Sequence, residues 1–362
     1  MATSARGVVV RRPGGPGEVE TITVGEPGPG EVLVRILASG VCHTDLMYLD
    51  GEVGDDFPYL LGHEGSGVVE KVGPGVEQPV EGDFVILAWR APCGRCRFCL
   101  VGSPQLCADS LNATTRMTTS DGKALTPALG LGTFTTHTVV AASQAIPVTR
   151  EIPPPQASTI GCGVMTGVGA AMYAAGVRAG SSVAVFGCGG VGVSVIQGAA
   201  LAQAQTIIGV DIASNKLSWA RGFGATHTVN PKDGDPVDQI KAITSGNGVN
   251  YSFEAAGRAQ TLEQALWCRD LAGTCVMIGV HGPAASIQLP LARFFGLGGS
   301  LRVSWYGDCL PSRDFPLLTD LYLKGRLNLD DVVTRTISLE DTAEAFRAMH
   351  DGETLRSVIV FE

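Results

Sequence analysis

The stretch that most restricts this chain runs from Ala179 to Val210 without a single charged residue. Within it Ser182–Phe186 reads as an apolar strand, Gly187-x-Gly189-x-x-Gly192 as a turn, and the residues on to about Gln203 as a helix. Ile207 to Asp211 reads as a second strand that ends on a carboxylate. Strands that are apolar throughout, rather than alternating, belong to parallel sheets covered on both faces. The three glycines divide the work of a dinucleotide turn. Gly187 permits the turn, Gly189 lets the backbone approach a pyrophosphate, and Gly192 lets the helix pack on the strand, with Gly190 and Val191 completing the loop. Asp211 is placed to accept hydrogen bonds from both ribose hydroxyls and to repel a 2′-phosphate, so NAD is expected over NADP. Asn250–Ala255, Thr274–Val280 and Ser300–Tyr306 read as later strands of the same sheet.

By length, this run and Ile152–Val177, which is also free of charge, could span a membrane. Glycines and turn signals interrupt both, so no membrane partner is expected. A chain of 362 residues is long enough for two domains, and 45% hydrophobic with 17% charged residues describes a packed, ordered protein. A net charge of −9 argues against a nucleic-acid partner, since phosphate-backbone binders carry a surplus of Lys and Arg. The apolar run before Arg11-Arg12 is too short for a signal peptide, and the expected location is the cytoplasm. In that reducing setting the ten cysteines are expected as metal ligands and buried thiols rather than disulfides.

The first third alternates between short apolar runs and Gly/Pro clusters, the pattern of short strands in a small β-rich, barrel-like domain. Cys93-x2-Cys96-x2-Cys99-x7-Cys107 is its sharpest local signal. Four thiolates so spaced, with Gly94 and Gly102 easing the turns, suit a closed tetrahedral structural zinc. A zinc ribbon for nucleic acid and an iron–sulfur site are the alternatives to it. Ala108 to Gly132 reads as a long loop. Cys42 and His63 are candidate metal ligands, as thiolate and neutral imidazole. Cys188, Cys268, Cys275 and Cys309 read as packed thiols, and His137, His227, His281 and His350 carry no assigned role.

Cys42-His43-Thr44-Asp45, Gly62-His63-Glu64, the four-cysteine lobe and Gly187-Cys-Gly-Gly-Val-Gly192 together resemble the zinc-dependent medium-chain alcohol dehydrogenases over nearly the whole chain. The resemblance implies an α/β chain. A GroES-like β-rich catalytic domain would take residues 1–163 and 306–362, and a Rossmann doubly wound parallel sheet 164–305. It implies two zinc ions per subunit, the catalytic one held by Cys42, His63 and Cys162, a set that spacing alone does not reveal. Asp45 matches a carboxylate that orients a ligand imidazole, and Glu64 a group that approaches the metal during ligand exchange. Thr44 matches the hydroxyl that takes the substrate proton. His43, Thr166, Lys216 and Arg356 match cofactor contacts. At Met47 many dimeric relatives carry a histidine that ends a proton relay, and methionine cannot carry a proton.

Asn112-Ala-Thr114, Met117, Asp121-Gly122, Leu125–Gly130, Ser304–Pro311 and Arg313–Pro316 resemble, more narrowly, the mycothiol-dependent formaldehyde dehydrogenases. This implies NAD-linked oxidation of S-(hydroxymethyl)mycothiol to the S-formyl thioester. The alternatives on the same site are a primary, aryl or secondary alcohol, or reduction of an S-nitroso thiol. A homodimer is expected by the same resemblance, paired through the edge strand near Ser300–Tyr306.

Overall fold

The computed structural model describes residues 2–282 and 284–362. The chain divides into two compact units, residues 1–162 with 310–362, and residues 163–309. In the first unit ten strands lead: β1 (Thr3–Val10), β2 (Gly17–Val24), β3 (Glu31–Gly40), β4 (Tyr59–Leu60), β5 (Glu64–Val72), β6 (Phe84–Leu87), β7 (Met117–Thr119), β8 (Thr126–Pro127), β9 (His137–Ala141) and β10 (Ala145–Pro147). The second unit holds β11 (Ser182–Phe186), β12 (Thr206–Val210), β13 (His227–Val229), β14 (Val249–Glu254), β15 (Arg269–Met277) and β16 (Ser300–Val303). The chain then returns to the first unit with β17 (Val333–Ile337) and β18 (Arg356–Val360).

In the first unit a five-stranded sheet runs β7-β2-β1-β4-β8, and a seven-stranded sheet runs β10-β6-β5-β3-β18-β17 with β9 also on β3. Ten-residue β3 serves two partners along one edge, β9 through Glu31–Arg35 and β18 through Ala38–Gly40. This division brings the C-terminal strand beside the metal-ligand stretch that follows Gly40. The segment expected as one long loop, Ala108–Gly132, is instead partly ordered as strand. Met117–Thr119 pairs with β2, and Thr126–Pro127 pairs with β4. Met117 and Leu125 are fully buried, which its polar composition concealed.

The second unit is a six-stranded parallel sheet in the order β13-β12-β11-β14-β15-β16, as expected of a doubly wound nucleotide fold. Val183 to Phe186 are all inaccessible to solvent, and helix Gly190–Leu201 packs on them. A Cβ at Gly192 would lie 1.8 Å from the Gly187 carbonyl oxygen, so only glycine fits there. Gly187 adopts φ +92°, a left-handed geometry that other residues resist.

A helical run not expected from the sequence extends from Pro154 to Ala175, with π-helical turns at Ile160–Val164 and Ala170–Ala175. Cys162 lies in the first of these. Such turns recur at functional sites because they re-aim one side chain out of the helical register.

Candidate active site and metal centres

Cys42 caps the start of helix His43–Asp50, and His63 lies between β4 and β5. Asp45, fully buried on the helix, ties the two together. Its Oδ2 accepts from the Cys42 backbone N–H at 3.0 Å, while Oδ1 accepts from Gly62 N at 3.0 Å and meets His63 Nδ1 at 2.9 Å. A carboxylate only accepts, so the proton of this last bond rides on Nδ1 and the Nε2 lone pair points the other way. His63 Nε2 is buried and has no hydrogen-bond partner. An orphaned imidazole nitrogen beside two thiols is what a zinc ion requires.

The thiols of Cys42 and Cys162, a ring nitrogen of His63 and an oxygen of Glu64 all lie within 4.8 Å of one another. The hydrogen bond from Cys162 holds the Cys42 thiol well below its ordinary value, with burial opposing and His63 assisting. The same bond, with burial, pushes Cys162 well above its own. Burial disfavours the His63 imidazolium, but Asp45 and Cys42 outweigh it and raise its pKa well above the usual range. The polypeptide thus prepares one thiolate, while a cation is needed to displace the protons of the second thiol and of His63 Nε2. The donor set of two sulfurs and one nitrogen fits zinc with a position left for substrate.

Glu64 is fully buried, and burial lifts its pKa to about 8 despite Arg356. Arg356 Nη2 sits 3.3 Å from Glu64 Oε1 and Nη1 donates to the Val41 carbonyl at 2.9 Å. The arginine matched to a pyrophosphate clamp is therefore buried against the metal-ligand stretch, a pairing the sequence did not disclose. Thr44 is half-buried, with its Oγ1 3.8 Å from Cys42 Sγ, and His43 is exposed. We expect Asp45→Asn, which keeps shape but weakens the hold on the imidazole, to lower zinc affinity or turnover about 10- to 100-fold. Metal analysis beside kinetics checks this.

The four lobe cysteines also converge, with their sulfurs all within 4.8 Å of one another. Cys96 Sγ is 3.6 Å from Cys99 Sγ and 3.9 Å from Cys107 Sγ. Backbone N–H groups point at the sulfurs, from Cys93 to Cys107 Sγ and from Cys96 to Cys93 Sγ, both at 3.3 Å. Backbone donors, led by that of Cys99, bring the Cys96 thiol down to about 6, whereas desolvation and Cys96 push Cys99 up to about 12. Gly94 and Gly102 take φ +70° and +78° at the turns. The donor set is that of a closed, all-sulfur zinc.

In the second unit a Cβ at Gly189 would meet no protein atom within 4 Å. Open space over that backbone fits the close approach of a phosphate. Asp211 directly follows β12 and accepts from Cys188 N through Oδ2 and from Ala213 N through Oδ1, both at 2.9 Å, which fixes its orientation beside the turn. Lys216 is half-buried on helix Ser214–Gly222, and Thr166 half-buried on helix Met165–Gly169. No helix among the described residues is long and apolar enough to cross a membrane.

Two metal-ready clusters and a dinucleotide turn define a zinc dehydrogenase. Residues 28–150 match the alcohol dehydrogenase GroES-like domain and residues 190–324 the zinc-binding dehydrogenase family. S-(hydroxymethyl)glutathione dehydrogenase of Synechocystis sp. is 38% identical, over 98% of this chain and 99% of its own. An alcohol dehydrogenase zinc-binding domain protein from Burkholderia ambifaria superposes with a TM-score of 0.96 at 34% identity, covering 100% of both chains. Benzyl alcohol dehydrogenase from Acinetobacter calcoaceticus superposes with a TM-score of 0.93 at 30% identity, covering 99% of this chain and 100% of its own. The chain belongs to the zinc-dependent medium-chain alcohol dehydrogenases.

Proposed function

We propose that this protein oxidises a hemithioacetal, the adduct of formaldehyde with a low-molecular-weight thiol, passing hydride to NAD. The observation that carries this is the near full-length likeness to a dehydrogenase named for such an adduct of glutathione. For the thiol itself we propose mycothiol, on the motifs from Asn112 to Gly130 and from Ser304 to Pro316. A plain aryl alcohol is the second reading, favoured by the benzyl alcohol dehydrogenase likeness.

Zinc supplies Lewis acidity toward a hydroxyl oxygen, and the nicotinamide supplies the hydride acceptor. Cys42, His63 and Cys162 hold the metal, and Asp45 keeps the imidazole in one tautomer. Thr44 Oγ1 would take the hydroxyl proton, and Met47, which has no titratable group, passes none onward. Glu64, raised by burial and checked by Arg356, is a reserve oxygen for ligand exchange. Gly187 to Gly192 cradle the pyrophosphate, with His43, Thr166, Lys216 and Arg356 as further cofactor contacts. Asp211 selects NAD. Asp211→Ala is expected to raise NADP use relative to NAD by at least about tenfold in kcat/KM, measured with both cofactors.

We also propose a cytoplasmic homodimer. Two clusters of thiols placed to hold metal suit a reducing compartment. Strand β16 is the outermost of its sheet and exposes Leu301 and Val303, beside exposed Leu291 and Phe295. An uncovered apolar edge strand is a pairing surface.

The substrate reading is tested by initial rates of NADH formation with formaldehyde plus mycothiol, formaldehyde plus glutathione, formaldehyde alone, and benzyl alcohol. A rate that needs both formaldehyde and mycothiol is expected. Turnover of benzyl alcohol alone would move the protein to the second reading.

A further inference from the structure

The C-terminal edge of the parallel sheet carries a buried acid and a histidine that no step above uses. Glu254, the last residue of β14, is fully buried. Its Oε1 accepts from the backbone N–H groups of Ala256 and Gly257 at 2.8 Å, of Arg258 at 3.4 Å, and from Thr261 Oγ1 at 2.7 Å. That oxygen is saturated. Oε2 has no hydrogen-bond partner and faces His281 Nε2 at 3.5 Å, which is likewise buried and without a hydrogen-bond partner. His281 Nδ1 lies 2.9 Å from the Gly279 carbonyl oxygen, and since a carbonyl only accepts, Nδ1 bears a hydrogen. Nε2 therefore offers Glu254 a lone pair when the ring is neutral and a proton when it is charged. Only the second attracts a carboxylate.

The two loops concerned, residues 255–258 and 278–281, interlock. A Cβ on Gly279 would fall 2.3 Å from Gly257 N and 2.7 Å from Glu254 Oε2, and one on Gly257 would fall 2.6 Å from the Val280 carbonyl oxygen. A Cβ on Gly187, in the dinucleotide turn itself, would fall 3.0 Å from Ala256 N. Loop 278–281 is thus packed closely on residues 255–257, and these on the turn. The strand order reverses between β11 and β14, and a dinucleotide lies across the crevice at such a point. With the glycine turn and Asp211 on the β11–β12 side, the other half of the dinucleotide falls to the loops after β14 and β15.

We propose that Glu254 and His281 are a positioning pair that, with the imidazole protonated, draws loop 278–281 onto the sheet edge and tightens binding of the nicotinamide half of NADH. The inference rests on the NAD reading above. Glu254 faces the ring from β14, and Arg258 meets Glu254 through its backbone N–H. Glu263, on the following helix, accepts from Gln288 N. Between Met277 and Arg293 no other ionisable side chain occurs.

The test is NADH titration by fluorescence of the zinc-loaded wild type, His281→Ala and Glu254→Gln from about pH 6 to about pH 8.5, the span over which imidazoles titrate. Thermal midpoints are recorded alongside. The wild-type Kd is expected to rise about fivefold more toward high pH than that of His281→Ala, which binds at the weaker value throughout. In Glu254→Gln the side-chain oxygen must serve the four donors, which turns the amide NH2 toward His281. It then favours the neutral ring and reverses the trend. The same pH course in wild type and His281→Ala, or a Glu254→Gln profile that still tightens toward low pH, overturns the pair alone. Zinc-loaded wild type that binds no NADH at any pH overturns the cofactor reading and the pair together.

Discussion

Cys42→Ala is expected to lose one of two zinc ions per chain and to lower kcat/KM at least about a thousandfold, because the Lewis acid is worth several kcal/mol to the chemical step. The fold survives the change. Asp45 grips the Cys42 backbone N–H rather than its sulfur, and the same carboxylate keeps its bonds to Gly62 N and His63. What disappears is the one thiolate that the site prepares, leaving Cys162 with its pKa no longer split by a neighbouring sulfur. Metal content, circular dichroism and initial rates on the same sample check the three parts of the prediction. Full activity in the variant would undo the assignment of Cys42.

Removal of zinc from the second cluster acts on stability instead. Cys96→Ala is expected to lower the thermal midpoint by about 5 °C or more and to open the segment 93–111 to proteases, with a smaller effect on turnover. The lobe has little apolar packing of its own, since Leu100 and Val101 are 73% and 75% exposed. Its helix, Arg97–Leu100, is a single turn, too short to persist unaided. What fastens its base is polar, namely Ala91 N to Ser110 Oγ at 3.0 Å and to Asn112 Oδ1 at 3.1 Å. The metal is thus the main source of order between residue 93 and residue 107. Limited proteolysis with mapping of the cut sites separates this local loosening from global unfolding.

What could be read from the sequence was whatever depends on neighbours along the chain. The strands β11, β12, β14, β15 and β16 follow local apolar runs and turn residues, as do the dinucleotide turn and the cysteine lobe. Helix Pro154–Ala175 escaped because Gly161, Gly163, Gly167 and Gly169 argue against helix by propensity. Their reason is packing. A Cβ on Gly167 would come within 2.5 Å of Ser194 and Val191, and one on Gly169 within 2.4 Å of Gly307. Contacts between residues far apart in sequence were equally hidden. Arg356 on Glu64 joins β18 to β5, and His281 on Glu254 joins two loops, and neither pair leaves a spacing signal. Cys162 became legible only through family resemblance, for the same reason.

The central claim is that hydride chemistry here depends on zinc held by Cys42, His63 and Cys162. The most direct measurement is NADH formation from formaldehyde and thiol, or from benzyl alcohol, by one preparation before chelation, after chelation and after zinc is restored, with zinc counted each time. The expected result is a rate that falls with the more exchangeable of two zinc ions and returns with it. Undiminished NADH formation by protein shown to hold no zinc would contradict the account.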